Sequence, residues 1–226
     1  MPGYWWPLFH LFYSFSNTEK PFNLLPLSFH LYPLSFTFIL ETHMITYSTS
    51  TSASDLQGIL SLQQQNLAVN LPPDEVLSQG FVTVTHRLED LSRMNDIEAH
   101  VIAKDGEQVI GYLLAMTVQS KADFPVLIPM FELFERIQFR KKPVADYHYL
   151  VVGQVCVDKN YRGQGILDQC YEAYKNRFKD KYDFAITEIA IKNQRSIKAH
   201  NRIGFREIHR YNAPDGVEWS VVVWEW

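Results

Sequence analysis

The chain has 226 residues, of which 46% are hydrophobic and 20% are charged. These values are ordinary for a globular protein, and the length allows one domain or two small ones to bury a substantial core. The net charge of −4 argues against a strongly basic nucleic-acid binder, so no nucleic-acid partner is expected. The two cysteines, Cys156 and Cys170, are too few for a disulfide framework and lack the spacing of a zinc site. We therefore expect no metal and a reducing, cytoplasmic location.

Residues 1–43 differ in composition from the rest of the chain, with twelve aromatic residues and only three charged ones. Three interpretations compete: a membrane segment, a secretory signal, or upstream sequence translated by mistake before a true start at Met44. Pro26 and Pro33 interrupt the uncharged run that a membrane helix needs, and residues 1–18 lack the basic start of a signal. We therefore favour the third interpretation, expect residues 1–43 to lie outside the fold, and expect no membrane partner.

The first part of residues 44–226 alternates between strand and helix patterns. Strands or extended segments are predicted at 45–51, 81–85, 100–104, 108–117 and 147–157. Helical segments are predicted from Ser52 or Ser54 onward and at 74–79, 88–94 and 129–139. Asp105-Gly106, between two of the strands, is typical of a hairpin turn.

The second part has the order helix, strand, helix, strand, strand. A helix is predicted at 165–179, a strand that is apolar on both faces at 184–191, and a short helix at 196–203 that ends at Gly204. Two strands follow, at 205–211 and 217–224. Antiparallel hairpins followed by this order predict one α/β (α+β) domain over residues 44–226 with a central mixed sheet.

The segment from Val155 to Leu167 links the long apolar strand to a helix through a glycine-containing loop. Gly163 and Gly165 allow a ligand to approach the backbone, and Arg162 offers a positive charge to a phosphate. The first turn of the following helix adds unpaired N–H groups, which attract anions. The loop matches neither a P-loop nor a dinucleotide fingerprint. By itself it is as consistent with a tight turn as with a phosphate site.

The downstream sequence favours the phosphate site. Arg162 and Gly165, followed by Asn193 and a short segment ending in Gly204-Phe205, resemble the GNAT superfamily of N-acetyltransferases in order and spacing. The resemblance is specific over residues 155–205. It implies a mixed, mostly antiparallel sheet flanked by helices, with acetyl-CoA as acyl donor. It also implies direct attack on the thioester by a primary amine of a small molecule or peptide.

The same resemblance implies roles for individual residues. The strand would pair with the pantetheine arm and supply an oxyanion donor, and the loop amides would hold the pyrophosphate. Asn193, with Ser196, would contact the pantetheine or the adenine end. The expected cofactor-binding residues are Val155, Cys156, Val157, Arg162, Gly163, Gln164, Gly165, Ile166, Leu167, Asn193 and Ser196. Leu167 departs from the family pattern, which usually has Gly or Ala there.

Glu188 is the candidate catalytic base, because an ammonium must lose a proton before it attacks a thioester. It is the sole charged residue between Phe184 and Ile191, and burial would raise its pKa. Its spacing to Asn193 resembles that of the catalytic Glu in family members that acetylate the N-termini of ribosomal proteins. The alternative is a carboxylate neutralised by a structural Arg or Lys.

His200 is the candidate general acid. It lies three residues from Ile197 and Ile203, on the inward face of its helix, where the family often has a tyrosine acting as acid. The alternative is a buried, hydrogen-bonded histidine with no proton-transfer role. Cys156 is expected to pack in its strand and not to carry the acyl group.

Three functions remain open at this point. The first is an acetyl-CoA-dependent N-acetyltransferase, and the second is a non-catalytic acyl-CoA-binding or regulatory module, in which Leu167 and His200 mark lost chemistry. The third is a membrane-linked protein in which residues 1–43 are the functional part. Acceptor specificity is expected to depend on residues 69–98 and 120–147. The apolar C-terminal strand, ending at Trp224 and Trp226, is compatible with a homodimer.

Overall fold

The computed structural model describes residues 44–122 and 124–226, so the predictions for residues 1–43 lie outside the described residues. The strands in chain order are β1 (Thr46–Thr49), β2 (Val101–Asp105), β3 (Gln108–Met116), β4 (Gln138–Phe139), β5 (Lys142–Pro143), β6 (Tyr149–Val157), β7 (Phe184–Ala190), β8 (Arg206–Asn212) and β9 (Glu218–Glu225). The α-helices are α1 (Ala53–Asn66), α2 (Pro73–Gln79), α3 (Leu88–Ile97), α4 (Ile128–Phe134), α5 (Ile166–Phe178) and α6 (Gln194–Ile203). Within the described ranges, no helix is long and apolar enough to cross a membrane.

A seven-stranded sheet in the order β1-β2-β3-β6-β7-β9-β8 forms the centre of the fold. The β6–β7 pair is parallel, and the other neighbouring strands of this sheet run antiparallel. Strands β4 and β5 form a separate two-stranded ribbon. The predicted mixed, mostly antiparallel sheet flanked by helices is therefore confirmed.

Apolar side chains cover both faces of the sheet. One cluster packs α1, α3 and α4 onto one face, and α5 covers the other face. Strand β3 contributes to the apolar clusters on both faces, because successive side chains of a strand point to opposite faces. Tyr112 and Leu114 belong to the cluster with α1, α3 and α4, and Leu113 and Ala115 belong to the cluster under α5. This explains why the central strands are apolar at nearly every position.

Local sequence signals set several element boundaries. Ser52 caps α1, since its hydroxyl accepts the N–H of Asp55 and the Asp55 carboxylate accepts the N–H of Ser52. The predicted helix at 129–139 is too long, because α4 ends at Phe134 and the following residues turn back as the β4–β5 ribbon. The ribbon places Phe139 on Phe184, with ring centroids 5.1 Å apart, and this tertiary contact overrides the helical spacing.

Strands β6 and β7 pair only at their first residues, from Tyr149 opposite Phe184 to Val151 opposite Ile186. On the side that faces β3, β6 contains a bulge. Val152 and Val155 are three residues apart in β6, whereas their partners in β3, Ala115 and Leu113, are two residues apart. A bulge bends its strand and increases the local twist. Strand β6 therefore turns away from β7 at residues 153–154, and the sheet opens into a wedge between the later halves of the two strands.

Aromatic rings hold the closed end of this wedge. The Phe184 ring lies 5.1 Å from Phe139, 5.2 Å from Tyr147 and 6.3 Å from Tyr149 between centroids. Phe134 of α4 packs edge-on against Tyr149 at 5.8 Å. Part of the predicted specificity region at 120–147 thus lies at the closed end of the wedge.

We expect Phe184→Ala to lower the free energy of unfolding by about 3–5 kcal/mol, because a fully buried ring is removed from this cluster. Urea unfolding followed by tryptophan fluorescence measures the change. Val69→Ala is the matched control, since Val69 is 88% exposed and its loss is expected to change stability by less than about 0.5 kcal/mol. Equal effects of the two substitutions would contradict a stabilising role for the aromatic cluster.

Candidate active site

Two adjacent spaces lie beside the later half of β6. The larger, here called the main cavity, has a volume of about 890 Å³ and is bounded by the end of β6, the loop that follows it, and α6. The smaller, here called the recess, has a volume of about 100 Å³ and lies between β6 and β7 beside Glu188. Both spaces are lined by Phe81, Val82, Val155, Asn193, Ser196 and His200. A long ligand in the first space can therefore meet a small group in the second.

The end of β6 presents a strand edge to the main cavity. Asp158 N–H donates to the Ile110 carbonyl of β3 at 2.8 Å. Because main-chain groups alternate in direction along a strand, the N–H and carbonyl of Cys156 also face β3. The main-chain groups of Val155 and Val157 then point away from β3, toward the cavity. The structure thus brings the predicted strand residues to the cavity wall.

The glycine loop lies open to the same cavity. Gly163 and Gly165 have φ angles of +79° and +81°, and no heavy atom lies within 4 Å of where a Cβ would stand at either. Gly165 is the N-cap of α5, so the first N–H groups of that helix begin at Ile166. Gly163, Gly165, Ile166 and Leu167 line the cavity. The Gln164 side chain instead donates to the Asn160 carbonyl at 2.9 Å.

Arg162 lines the cavity but is held by protein groups. Its Nε donates to the Val157 carbonyl at 3.1 Å, and its guanidinium donates to Asn66 Oδ1 at 2.6 Å. This half-buried side chain ties the loop to β6 and to the end of α1. Further cations on the cavity wall come from α6, a contribution that the sequence analysis missed; they are Arg195, Lys198 and Arg202. Their spacing on one helix was the available signal.

Asn193 and Ser196 lie where the main cavity meets the recess. Asn193 caps α6, because its Oδ1 accepts the Ser196 N–H at 3.2 Å. Its Nδ2 donates to the Phe81 carbonyl at 3.4 Å. The Asn193 side chain therefore joins α6 to the chain segment before α3.

His200 is buried, with both ring nitrogens bonded inside the protein. Nδ1 donates to the Ser196 carbonyl at 2.8 Å, which leaves Nε2 to accept the Tyr171 hydroxyl at 2.7 Å in the neutral ring. Burial lowers the pKa of His200 to about 4, so the imidazole is neutral near pH 7. This geometry favours the alternative of a structural histidine, and the general-acid role stays a prediction.

Glu188 lines the recess with its carboxyl bonded to a tyrosine. Its Oε1 accepts the Tyr211 hydroxyl at 3.0 Å, and within the described part of the chain no Arg or Lys forms an ion pair with it. Burial raises the pKa of Glu188 to about 7, although the Tyr211 hydrogen bond lowers it. Among the described residues, the structure therefore does not contain the Arg or Lys partner of Glu188 that the alternative interpretation requires. Tyr211, on β8, was missed because only the sheet brings it beside Glu188.

Cys156 contributes a buried thiol to the cavity wall. Burial raises its pKa to about 12, so the thiol is protonated and a poor nucleophile at neutral pH. The thiol packs as the sequence analysis expected. Among the described residues, no cluster of three or more His, Cys, Asp or Glu is placed to hold a metal ion.

Comparison with known proteins identifies the family to which the chain belongs. The sequence model of the acetyltransferase (GNAT) family matches residues 69–205, more than half of the chain, so the chain belongs to the GNAT family. This confirms the resemblance found in the loop and in the segment ending at Gly204-Phe205. A comparison with curated proteins finds no match.

Solved structures show the same fold. The ribosomal-protein-S18-alanine N-acetyltransferase of Escherichia coli matches with a TM-score of 0.51 and 14% identity, covering 80% of this chain and 92% of that one. The NatC complex bound to Gag peptide and CoA matches with a TM-score of 0.55 and 13% identity, covering 80% and 98%. Arabidopsis thaliana NAA60 in complex with acetyl-CoA matches with a TM-score of 0.50 and 15% identity, covering 81% and 100%.

The raised pKa of Glu188 predicts a pH-dependent stability. Between the ordinary value of 4.5 and about 7, the folded protein binds more protons than the unfolded chain at this residue. Glu188 therefore lowers the stability progressively as pH rises through that window. Glu188→Gln lacks this loss. Relative to wild type, its free energy of unfolding therefore rises by up to about 3 kcal/mol between pH 4.5 and 8.

Urea unfolding of both proteins at pH 5, 6, 7 and 8 measures this gain. Glu172→Gln, at an exposed position of α5, is the control for the replacement of a carboxyl by an amide. A constant gap between Glu188→Gln and wild type would show that the Glu188 pKa is ordinary.

Proposed function

We propose that the protein is an N-acetyltransferase that transfers an acetyl group from acetyl-CoA to a primary amine. The observation that carries the proposal is the partly buried Glu188 carboxyl, in a recess that shares six lining residues with the cavity of the glycine loop. Membership of the GNAT family supports acyltransferase chemistry. We propose residues 44–226 as the acetyltransferase domain, and a cytoplasmic location and a homodimer stay predictions.

Acyl-CoA as donor fits the chemistry of the main cavity. Its pyrophosphate would be held by backbone N–H groups from Gly163 to Leu167, with the cations of α6 nearby. Leu167 keeps its backbone donor, and its side chain packs against the apolar cluster under α5. The amides of the pantetheine arm would pair with the Val155–Val157 edge. The reported complexes of NAA60 with acetyl-CoA and of NatC with CoA support the same donor.

Glu188 acts as the base in this proposal. Its carboxylate accepts a proton from the substrate ammonium, and a pKa near 7 suits proton transfer at neutral pH. The free amine attacks the thioester carbonyl, with the N–H of Val155 as the proposed donor to the oxyanion. The C–S bond then breaks, the nitrogen loses a second proton as the amide forms, the CoA thiolate takes up this proton, and the proton held by Glu188 leaves to solvent. We propose direct transfer, because the protonated Cys156 thiol is unsuited to forming an acyl-enzyme.

The recess favours an acceptor with one positive charge near the reacting amine. Its lining combines apolar side chains, including Phe81, Val84 and Trp219, with uncharged polar ones, and Glu188 is its one carboxylate within the described chain. A second ammonium there would be desolvated without a counter-charge, which disfavours polyamines. The peptide complex of NatC and the S18-alanine enzyme support a peptide amine.

The first test separates donor binding from turnover. With acetyl-CoA at about 100 times its dissociation constant, the bound state gains about 2.7 kcal/mol, and we expect the melting midpoint to rise by roughly 5–10 °C. We expect Glu188→Gln to keep this rise and to lose CoA release in a thiol assay by about 100-fold or more. Glu172→Gln, an exposed Glu of α5, should retain both properties.

The outcomes of this test distinguish the acetyltransferase from the non-catalytic module. A melting rise with no CoA release for any peptide, amino acid or polyamine would support the non-catalytic acyl-CoA-binding module. A folded protein with no melting rise would contradict acetyl-CoA as the ligand.

The Glu188–Tyr211 contact predicts the pH dependence of turnover. Since the base must be deprotonated, kcat/KM should rise with pH and level off above about 7. Tyr211→Phe removes the hydrogen bond that stabilises the carboxylate, so the rising limb should move to higher pH. Steady-state rates from pH 5.5 to 9 measure the rising limb in wild type and in Tyr211→Phe. An unchanged limb in Tyr211→Phe would mean that another group controls the profile.

A further inference from the structure

A segment without regular secondary structure, Gly80–His86, crosses the opening between β6 and β7; we call it the strap. It connects α2 to α3, and its residues Phe81–Val84 line the recess together with residues of β6 and β7. Its position therefore sets the depth of the space in which a substrate would meet Glu188. A segment of this kind needs fixed partners for its buried polar groups.

The strap is held mainly through its backbone. Near its beginning, Val82 N–H donates to the Asn66 carbonyl at 3.0 Å, and the Val82 carbonyl accepts Ala68 N–H at 3.3 Å. Near its end, His86 N–H donates to Gln63 Oε1 at 2.9 Å. In between, the Val84 carbonyl accepts Gln154 Nε2 at 2.8 Å. Side chains elsewhere in the chain thus contribute directly to the course of the strap.

Gln154 occupies the centre of this arrangement. It lies in the bulge of β6, and its Oε1 accepts Gln63 Nε2 at 2.7 Å and the Tyr112 hydroxyl at 2.6 Å. Gln63 and Tyr112 are fully buried. Because the Val84 carbonyl can only accept, the donating Nε2 of Gln154 must face the strap. The amide has one orientation that satisfies all three bonds.

His86 completes the network without adding charge. Its Nδ1 lies 2.8 Å from Gln63 Nε2, and burial lowers its pKa to about 4. The neutral ring accepts this hydrogen bond near pH 7. A network that is fully bonded and neutral holds its members rigidly, whereas a lost partner leaves a buried polar group unsatisfied.

We infer that Gln154 is a positioning residue for the amine acceptor, because the β6 bulge directs its amide to the strap that covers the recess. The inference rests on the proposed acetyltransferase function. Gln154 lines the recess and does not line the main cavity. Loss of its amide frees the Val84 carbonyl, which turns toward water and moves the strap away from Glu188. Acceptor binding weakens, while the loop and strand edge proposed for the donor keep their contacts.

Gln154→Met tests this inference, because methionine has similar length and no strong hydrogen-bond donor. With an alanine-initiated peptide as acceptor, we expect the peptide KM to rise about tenfold, corresponding to the loss of the one hydrogen bond that reaches the strap; the bonds from Gln63 and Tyr112 are lost inside the protein. The KM for acetyl-CoA should stay within about twofold. Tyr174→Phe is the matched control: it also removes a buried side-chain donor to a main-chain carbonyl, but that carbonyl belongs to Val151 of β6, at the closed end of the wedge. Both KM values should stay within about twofold in this control.

Amide hydrogen exchange of the full chain provides a readout that does not require turnover. We expect exchange in residues 81–86 to accelerate about tenfold in Gln154→Met and to stay at the wild-type rate in Tyr174→Phe. Gln154→Asn serves if the methionine variant does not fold, since it keeps the amide but withdraws it from Val84 by one methylene.

The two readouts separate this inference from the proposed function. Unchanged exchange in the strap, or equal increases in both KM values, would overturn the positioning role of Gln154. Faster exchange confined to the strap, without turnover of the peptide by wild type, would support the role of Gln154 in holding the strap. It would also remove the peptide from the proposed function.

Discussion

The divergence of β6 from β7 is the constraint on which the site depends. Aromatic rings around Phe184 hold the first residues of the two strands together, and the Thr187 hydroxyl donates to the Val152 carbonyl at 2.8 Å where they begin to separate. The bulge then carries β6 away. Backbone groups that a neighbouring strand would have paired become available on the β6 edge, and buried backbone groups require partners. Arg162 takes the Val157 carbonyl, and the adjacent edge is left for a ligand.

Burial has opposite consequences for the ionisable groups around this opening. It lowers the pKa of His200 to about 4 and raises the pKa of Cys156 to about 12, so both side chains are neutral near pH 7. Glu188 is partly buried; the Tyr211 hydrogen bond opposes the effect of its burial, and its pKa is about 7. Burial thus suppresses two candidate reactive groups and leaves the carboxyl able to exchange protons near neutrality.

Sequence reasoning succeeded where the physical cause lies within a few residues. The capping of α1 by Ser52, the open glycine loop and the end of α6 at Gly204 are local, and each is visible in the spacing of a short segment. The hydrogen bonds of the site join distant parts of the chain. Gln63 and Gln154 are 91 positions apart, and His200 is 29 from Tyr171. The sequence places His200 on the inward face of its helix but does not reveal the partner that binds its ring.

The end of α1 connects the two sides of the opening. The Asn66 side-chain oxygen accepts a hydrogen bond from Arg162 of the glycine loop, and the Asn66 main-chain carbonyl accepts one from Val82 N–H of the strap. The loop and the strap therefore share Asn66, whose side-chain Nδ2 donates a further hydrogen bond to the Leu62 carbonyl. Any displacement of the loop acts on a residue that also holds the strap. The glycine loop and the first part of the strap are thus both anchored at the end of α1, whereas Val84, further along the strap, is anchored separately by Gln154 of β6.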